Sequence, residues 1–222
     1  FIPNGISLLL FSIDFVNLHE GIDKEKKLSP CHCSYGAHSF NLERARQDWT
    51  NFQLKELINE FHKYGVKVYI SFFNVFDFSN GKGIHMEEFG KIHKELWESG
   101  RNGTKEMCIN VLKRFKDGTY YEDYLISKTV KVLIDYGFDG IQIADGVSSG
   151  RRSLQEGDYS DDMIDQFLSV KNIKLPDDIS TKCEGDSESF LKRAKWIWKN
   201  KRKEWILFYV DRWNTYFTKY AD

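Results

Sequence analysis

Two stretches of the chain repeat one order of elements, and this repetition constrains the fold more than any other feature. In both, apolar residues at helical spacing lead to Tyr-Gly, and a β-branched or aromatic run follows. The helices are predicted at residues 54–61 and 126–134, and the strands at 66–73 and 140–145. A helix that ends at a glycine before a buried strand is half of a βαβ unit, so the repetition predicts parallel strands.

Other segments continue the alternation. Strands are predicted at 6–14, 107–111 and 205–211, and helices at 89–96, 164–168 and 190–198. Five strands interleaved with helices are typical of a parallel α/β fold. An open dinucleotide-binding sheet would carry a Gly-rich turn after its first strand, and none follows residue 14. The pattern therefore favours a (β/α) barrel of the TIM type.

The length sets a limit on that barrel. Eight strands and their helices need about 250 residues, whereas five strands extend over nearly all of the 222 residues here. We therefore expect one domain, residues 1–222, that lacks the C-terminal strands of a full barrel. A truncated chain, a natural fragment and a smaller incomplete barrel all fit this expectation. The composition, 41% hydrophobic and 29% charged, suits one globular domain.

Composition also argues against several classes of partner. The 32 basic and 33 acidic side chains give a net charge of -1, which offers no overall attraction to nucleic acid or to an anionic membrane. No run of 18 apolar residues occurs, so no membrane span is expected. Cys31-His32-Cys33 lacks a second ligand pair, so neither a metal nor a cofactor is expected. Compartment and oligomeric state stay open.

Polar residues end four of the predicted strands: Asp14, Asn74, Asp145 and Asp211. In barrels of this type the site is built at the C-terminal ends of the strands. Glycosidic cleavage needs two carboxyl groups across the scissile bond, and Asp145 and Asp211 are predicted as that pair. The alternatives are a turn or helix cap for Asp145, and an ion pair with the adjacent Arg212 for Asp211.

Other side chains are predicted to bind the substrate. Tyr209 and Trp213 flank Asp211, and an aromatic ring there can stack on a sugar. Asp14 and Asn74 can hydrogen-bond sugar hydroxyls, although Asp14 fits equally well as a cap of the following segment and Asn74 as a turn residue. His19 lies in the long connection after the first strand, and such long loops are more often functional than not.

The loop 146–153 supports a different enzyme class. It is rich in Gly and Ser and carries Arg151 and Arg152, so it could cradle a phosphate group. That would indicate an isomerase or transferase acting on a sugar phosphate. In a sugar hydrolase, Arg151 is instead predicted to bind the substrate, and a plain solvated loop is the third alternative.

One segment resembles a known family. Asp135-Tyr-Gly-Phe-Asp-Gly-Ile-Gln-Ile-Ala-Asp145 is similar to the fourth-strand motif of TIM-barrel glycoside hydrolases, and the likeness covers about residues 50–150. It implies a barrel with Asp145 as an active-site carboxylate. Ile143 stands where the α-amylase and α-galactosidase groups carry Arg or Lys, so nucleophile, base and sugar ligand all stay open as roles of Asp145.

Together these features predict a glycoside hydrolase that acts on oligo- or polysaccharide without a metal or cofactor. Asp145 and Asp211 are its expected catalytic residues, and carbohydrate is its expected partner. The alternatives are a barrel that binds carbohydrate without cleaving it, and the enzyme acting on a sugar phosphate.

Overall fold

The computed structural model describes four stretches of the chain: residues 2–28, 49–73, 88–143 and 153–221. They belong to two compact units, each made of two pieces of the chain. The first unit comprises Phe1–Ile92 and Tyr124–Ser148, and the second comprises His93–Asp123 and Ser149–Asp222.

Three parallel strands form the sheet of the first unit. They are β1 (Gly5–Ser12), β2 (Lys67–Phe73) and β5 (Gly140–Ile143), in the order β1-β2-β5. In the middle strand, the side chains of Val68 and Ile70 are fully buried. Because all three strands run in one direction, their carboxyl ends lie at the same edge of the sheet.

Four helices accompany this sheet in sequence: α1 (Ile13–Asn17), α2 (Asn51–Lys63), α3 (Glu88–Ile92) and α4 (Tyr121–Tyr136). Helix α2 begins at a capping box in which the Thr50 hydroxyl and the Gln53 side chain each accept a backbone N–H bond from the other residue. Gly65, with φ of 72°, follows the helix and leads into β2. Gly137, with φ of 82°, follows α4 in the same way and leads into β5, so both copies of the helix-glycine-strand order are present, the second strand being described as far as Ile143.

The second unit is mainly helical. Its strands β3 (Trp97–Ser99) and β4 (Lys105–Ile109) pair antiparallel, and a 3-10 turn at Lys94–Leu96 precedes them. The helices of this unit are α5 (Asp161–Lys171), α6 (Ser187–Asn200) and α7 (Arg202–Ala221). No helix in the described ranges is both long and apolar enough to cross a membrane.

An aromatic cluster forms the core between α5 and α7. The ring of Trp205 stacks on Tyr159 with 4.9 Å between centroids, and meets Phe167 and Tyr209 edge to face. Such pairs add to the free energy gained from burying the rings themselves. Trp205 is fully buried, so α7 is fixed against the residues that precede α5.

The predicted TIM barrel is wrong. The described residues contain three parallel strands and a separate antiparallel pair, and no closed barrel. Residues 107–111, predicted as a parallel strand, lie mainly in β4 and pair with β3 in the other unit. Residues 205–211, predicted as a strand, lie inside α7. The buried side chains of α7 are Trp205, Phe208, Tyr209 and Tyr216, a helical spacing that buries one face of the helix.

A buried carboxylate ties α7 to the start of α4 within the second unit. Glu122 is fully buried, and its two oxygens bind Arg212 Nη2 at 2.6 Å and Lys219 Nζ at 2.7 Å. Both cations also lie over the ring of Tyr120. Removing one member of a buried ion pair is costly because the other charge then lacks its partner.

We expect Glu122→Gln to lower the free energy of unfolding by about 3 kcal/mol, the lower part of the range for broken buried pairs, since Lys219 is partly solvated. Urea unfolding followed by circular dichroism measures this change. The matched control is Asp211→Asn, which breaks the exposed pair with Lys171 and should cost less than about 1 kcal/mol. Equal losses in the two variants would contradict the role given to Glu122.

A histidine in the first unit joins the segment after α1 to α4. His19 is buried, and its Nε2 lies 2.6 Å from Oδ2 of Asp135. Lys128 donates to the His19 carbonyl oxygen, which fixes the same segment. Burial lowers the pKa of His19 below its ordinary value of 6.5, although the contact with Asp135 acts in the opposite direction.

This lowered pKa predicts a loss of stability in mild acid. Between the folded-state pKa and 6.5 the unfolded chain binds more protons at His19 than the folded chain does. The free energy of unfolding should therefore fall as the pH decreases through 6.5, and the fall from this group should end below the folded-state pKa. Urea unfolding at pH 7.5 and pH 5.5 tests this, with His19→Gln expected to show a smaller decrease. An unchanged decrease in that variant would rule out His19 as its source.

Candidate functional site

The second unit contains a cavity of about 260 Å³. Its volume lies near the small end of ligand pockets in proteins, which run from roughly 300 to 1,000 Å³. The cavity is lined by Glu98, Asn110, Ser153, Leu154, Gly157, Asp158, Tyr209 and Trp213.

Four different segments supply the polar and aromatic part of this lining. Glu98 is the middle residue of β3, and Asn110 follows β4 directly. Asp158 lies in the segment before α5, and Tyr209 and Trp213 lie on α7. The last two are four residues apart, so they share one face of the helix.

Asp158 holds the segments of the lining together. Its Oδ1 accepts hydrogen bonds from the backbone N–H of Ser99 at 3.1 Å and of Ser160 at 2.9 Å. Its Oδ2 accepts from the side chain of Asn110 at 3.0 Å. The backbone of Tyr159 also donates to the Ser99 carbonyl at 2.8 Å. One buried carboxylate thereby joins the β3–β4 pair to the residues that lead into α5.

A tyrosine on α7 completes this arrangement. The hydroxyl of Tyr209 donates to the Asp158 carbonyl at 3.0 Å and accepts from the Asp158 N–H at 3.2 Å. Burial raises the pKa of Tyr209 well above its ordinary value, and the charges of Asp158 and Glu98 act in the same direction. Tyr209 is therefore a neutral phenol that positions Asp158, rather than a base.

Glycine is required at one position of the lining. Gly157 has φ of 40°, and a Cβ atom there would lie 2.9 Å from the ring of Tyr159. Both the backbone conformation and the close ring exclude a larger residue without displacement of Tyr159. The conformation of Gly157 therefore helps to set the position of Asp158, the next residue in the chain.

The lining combines hydrogen-bond acceptors with aromatic side chains. It contains two buried carboxylates, Glu98 and Asp158, one carboxamide and two aromatic side chains. Among the described lining residues there is no lysine, arginine or histidine. Carboxylate and amide oxygens accept hydrogen bonds from hydroxyl and ammonium groups, while an aromatic face packs on an apolar ring face. The cavity therefore suits a small ligand rich in hydrogen-bond donors.

Two residues predicted from the sequence lie in this lining, namely Tyr209 and Trp213. The third residue of that segment, Asp211, does not. It is exposed on α7 and pairs with Lys171 at 2.7 Å, so its predicted place at a strand end is wrong. The ion pair with Arg212 that the sequence offered as an alternative is also replaced, because Arg212 binds Glu122.

The predicted residues of the first unit have other contacts. Asp14 is buried in α1, not in a strand, and its carboxylate accepts from the N–H groups of Glu88 at 2.6 Å and Phe89 at 3.3 Å. It therefore caps α3, whereas the alternative offered from the sequence was a cap of the segment that directly follows Asp14. His19 is held by Asp135, as described above.

Several predicted residues lie outside the described ranges. They are Asn74, Asp145, Arg151 and the Cys31-His32-Cys33 segment. β2 ends at Phe73 and β5 at Ile143, one and two residues before Asn74 and Asp145 in sequence. Within the described ranges, no group of three or more His, Cys, Asp and Glu side chains is arranged to hold a metal ion.

Glu98, Asn110 and Asp158 were missed by the sequence reasoning. Their spacing gives no motif, since the contacts of Asp158 reach 59 residues back to Ser99 and 48 back to Asn110. The one local signal is Gly157-Asp158 before a helix start, which is also a common turn pattern. Only the folded chain brings these groups together.

Comparison with known proteins gives no relative: no family model, no curated protein and no solved structure matches the chain. The chemistry of the site therefore rests on the geometry of the second unit.

Proposed function

We propose that this chain is a carbohydrate-active protein whose cavity in the second unit binds a single sugar ring. The observation that carries the proposal is the lining itself, in which Glu98, Asp158 and Asn110 occur together with Tyr209 and Trp213. Small-molecule sites in general combine an apolar or aromatic wall with a few fixed polar groups. The hydroxyl groups of a sugar ring can hydrogen-bond to the polar groups, and its apolar face can pack against the aromatic side chains.

Pre-organisation supports the same proposal. Asp158 is held by Ser99, Ser160 and Asn110 before any ligand arrives, so a ligand does not need to order it. The volume of about 260 Å³ favours one ring over a longer oligosaccharide segment.

Glycoside hydrolysis is the enzymatic form of the proposal, and the two buried carboxylates in one lining favour it. The reaction needs one carboxyl group that protonates the leaving oxygen and a second carboxylate that acts on the sugar. We assign the first role to Glu98. We assign to Asp158 the stabilisation of the positive charge that develops on the sugar ring. Asp145, outside the described ranges, remains a predicted site carboxylate.

Calorimetric titration with a panel of monosaccharides tests the binding. The wild-type chain should bind at least one of them, and Glu98→Ala should weaken that binding at least tenfold, because the hydrogen bond between the Glu98 carboxyl group and the sugar is lost. Trp213→Ala should weaken it as well through lost ring contact. The matched control is Asp211→Asn on the same helix, outside the lining, which should bind as the wild type does.

Aryl glycosides test the hydrolysis in parallel. Turnover by the wild type that falls at least a hundredfold in Glu98→Gln, with the unfolding midpoint retained, would support the assigned acid. Binding without turnover in the wild type would reject hydrolysis and leave carbohydrate recognition. Failure of every sugar in the panel to bind would reject the proposal as a whole.

A further inference from the structure

We propose that the corner where α6 meets α7 is a docking surface for a membrane rich in anionic lipid. This basic corner consists of Lys195, Trp196, Trp198, Lys199, Arg202 and Lys203. None of these residues lines the cavity, so the surface is independent of the proposed sugar site.

The sequence around the corner has charges of one sign only. Residues 189–203 contain seven Lys and Arg and no Asp or Glu, although the net charge of the whole chain is -1. Three of the seven have carboxylate partners, namely Lys192 with Asp178, Arg193 with Asp161 and Lys201 with Glu204. Among the described residues, no carboxylate forms an ion pair with the other four, which are Lys195, Lys199, Arg202 and Lys203. The basic corner therefore carries four cations that no ion pair neutralises.

The exposed side of α6 presents two of these cations. The opposite side of the helix is buried, at Phe190, Arg193, Ala194 and Ile197. Lys195 and Lys199 are four residues apart and both exposed, so they share one face. Trp196, three residues before Lys199, lies half-buried beside them. This face can therefore meet a partner without disturbing the core.

Helix stability does not explain the position of every cation. Lys199 lies in the last turn of α6, where a positive charge suits the helix dipole. Arg202 and Lys203, however, are the first two residues of α7, and the dipole disfavours cations at that end. The two positive charges at the start of α7 thus act against the stability of their own helix, as expected for residues that bind a partner.

Two indole rings lie among the cations. Trp196 and Trp198 are both half-buried, and the guanidinium carbon of Arg202 lies 4.8 Å from the centre of the Trp198 ring. In the part of the chain that the structure describes, neither indole N–H has a hydrogen-bond acceptor. Tryptophan is enriched at the boundary between lipid and water, where its ring contacts apolar groups and its N–H remains in a polar layer. Both rings are therefore suited to the headgroup region of a bilayer.

The shape of the corner favours a bilayer over a nucleic acid. Proteins that bind single-stranded nucleic acid use a groove that follows the backbone, whereas Lys195, Trp196 and Lys199 lie on the outer, convex side of a helix. A helix that lies parallel to a membrane can contact headgroups along such a side. Clusters of about four to eight Lys and Arg on an amphipathic helix are typical of binding to phosphatidylserine.

Cosedimentation of the wild-type chain with lipid vesicles tests the proposal. At low ionic strength, vesicles of phosphatidylserine and phosphatidylcholine in equal parts should bind the chain at least about tenfold more tightly than vesicles of phosphatidylcholine alone. Binding should weaken as sodium chloride is added, because salt screens exposed charges.

The double variant Lys195→Glu/Lys199→Glu should lower the affinity for the anionic vesicles at least about tenfold, since two attractive charges become repulsive. The matched control is Lys116→Glu/Lys174→Glu. It makes the same charge change at two exposed lysines of the second unit that lie outside the basic corner, and it should bind as the wild type does.

Equal binding of the two kinds of vesicle by the wild type would overturn the proposal. Equal losses in the two double variants would overturn it as well, because the effect would then come from net charge alone. A single-stranded oligonucleotide that binds more tightly than the anionic vesicles would replace the membrane by a nucleic-acid partner. All four substituted lysines are exposed, so both double variants are expected to fold, and circular dichroism checks this.

Discussion

The carboxylate of Asp158 is the group on which the second unit depends most. It accepts hydrogen bonds from three N–H groups in three separate stretches of the chain. The hydroxyl of Tyr209 on α7 also binds both the backbone N–H and the backbone carbonyl of Asp158. A buried charge of this kind is tolerated because each oxygen is hydrogen-bonded, and losing one donor would leave part of the charge unsatisfied. The β3–β4 pair, the start of α5 and the face of α7 are therefore positioned together, and the cavity lies where they meet.

Two other buried charged residues, Arg193 and Glu122, also join separate elements of the second unit. Arg193 is fully buried, binds Asp161 at the start of α5 at 2.9 Å and donates to the Tyr159 carbonyl at 2.7 Å. Glu122 binds two cations of α7. Together with the rings around Trp205, these pairs fix the helices that carry the lining. A cavity built on such contacts is pre-formed, which lowers the cost of ligand binding.

Local sequence signals predicted the parallel strand at 66–73, the capped helix before it and the strand that the structure describes as Gly140–Ile143, because those signals act over a few residues. Residues 205–211 were wrongly predicted as a strand, since a β-branched and aromatic run also fits a buried helix. The spacing of Trp205, Phe208 and Tyr209 is helical and indicates the correct element. Tyr209 and Trp213 do line the cavity, but they were predicted from a strand, whereas both lie on a helix. Glu98 and Asp158 could not be found, because their meeting depends on contacts between distant parts of the chain.

The proposed sugar site is the cavity lined by β3, the residues before α5, and α7. A crystal structure of the chain soaked with the tightest-binding monosaccharide tests it most directly. We expect one ring in the cavity, with a ring substituent within hydrogen-bond distance of the Glu98 carboxyl group and a ring face against Trp213. A sugar bound elsewhere on the chain, with this cavity holding only water, would contradict it.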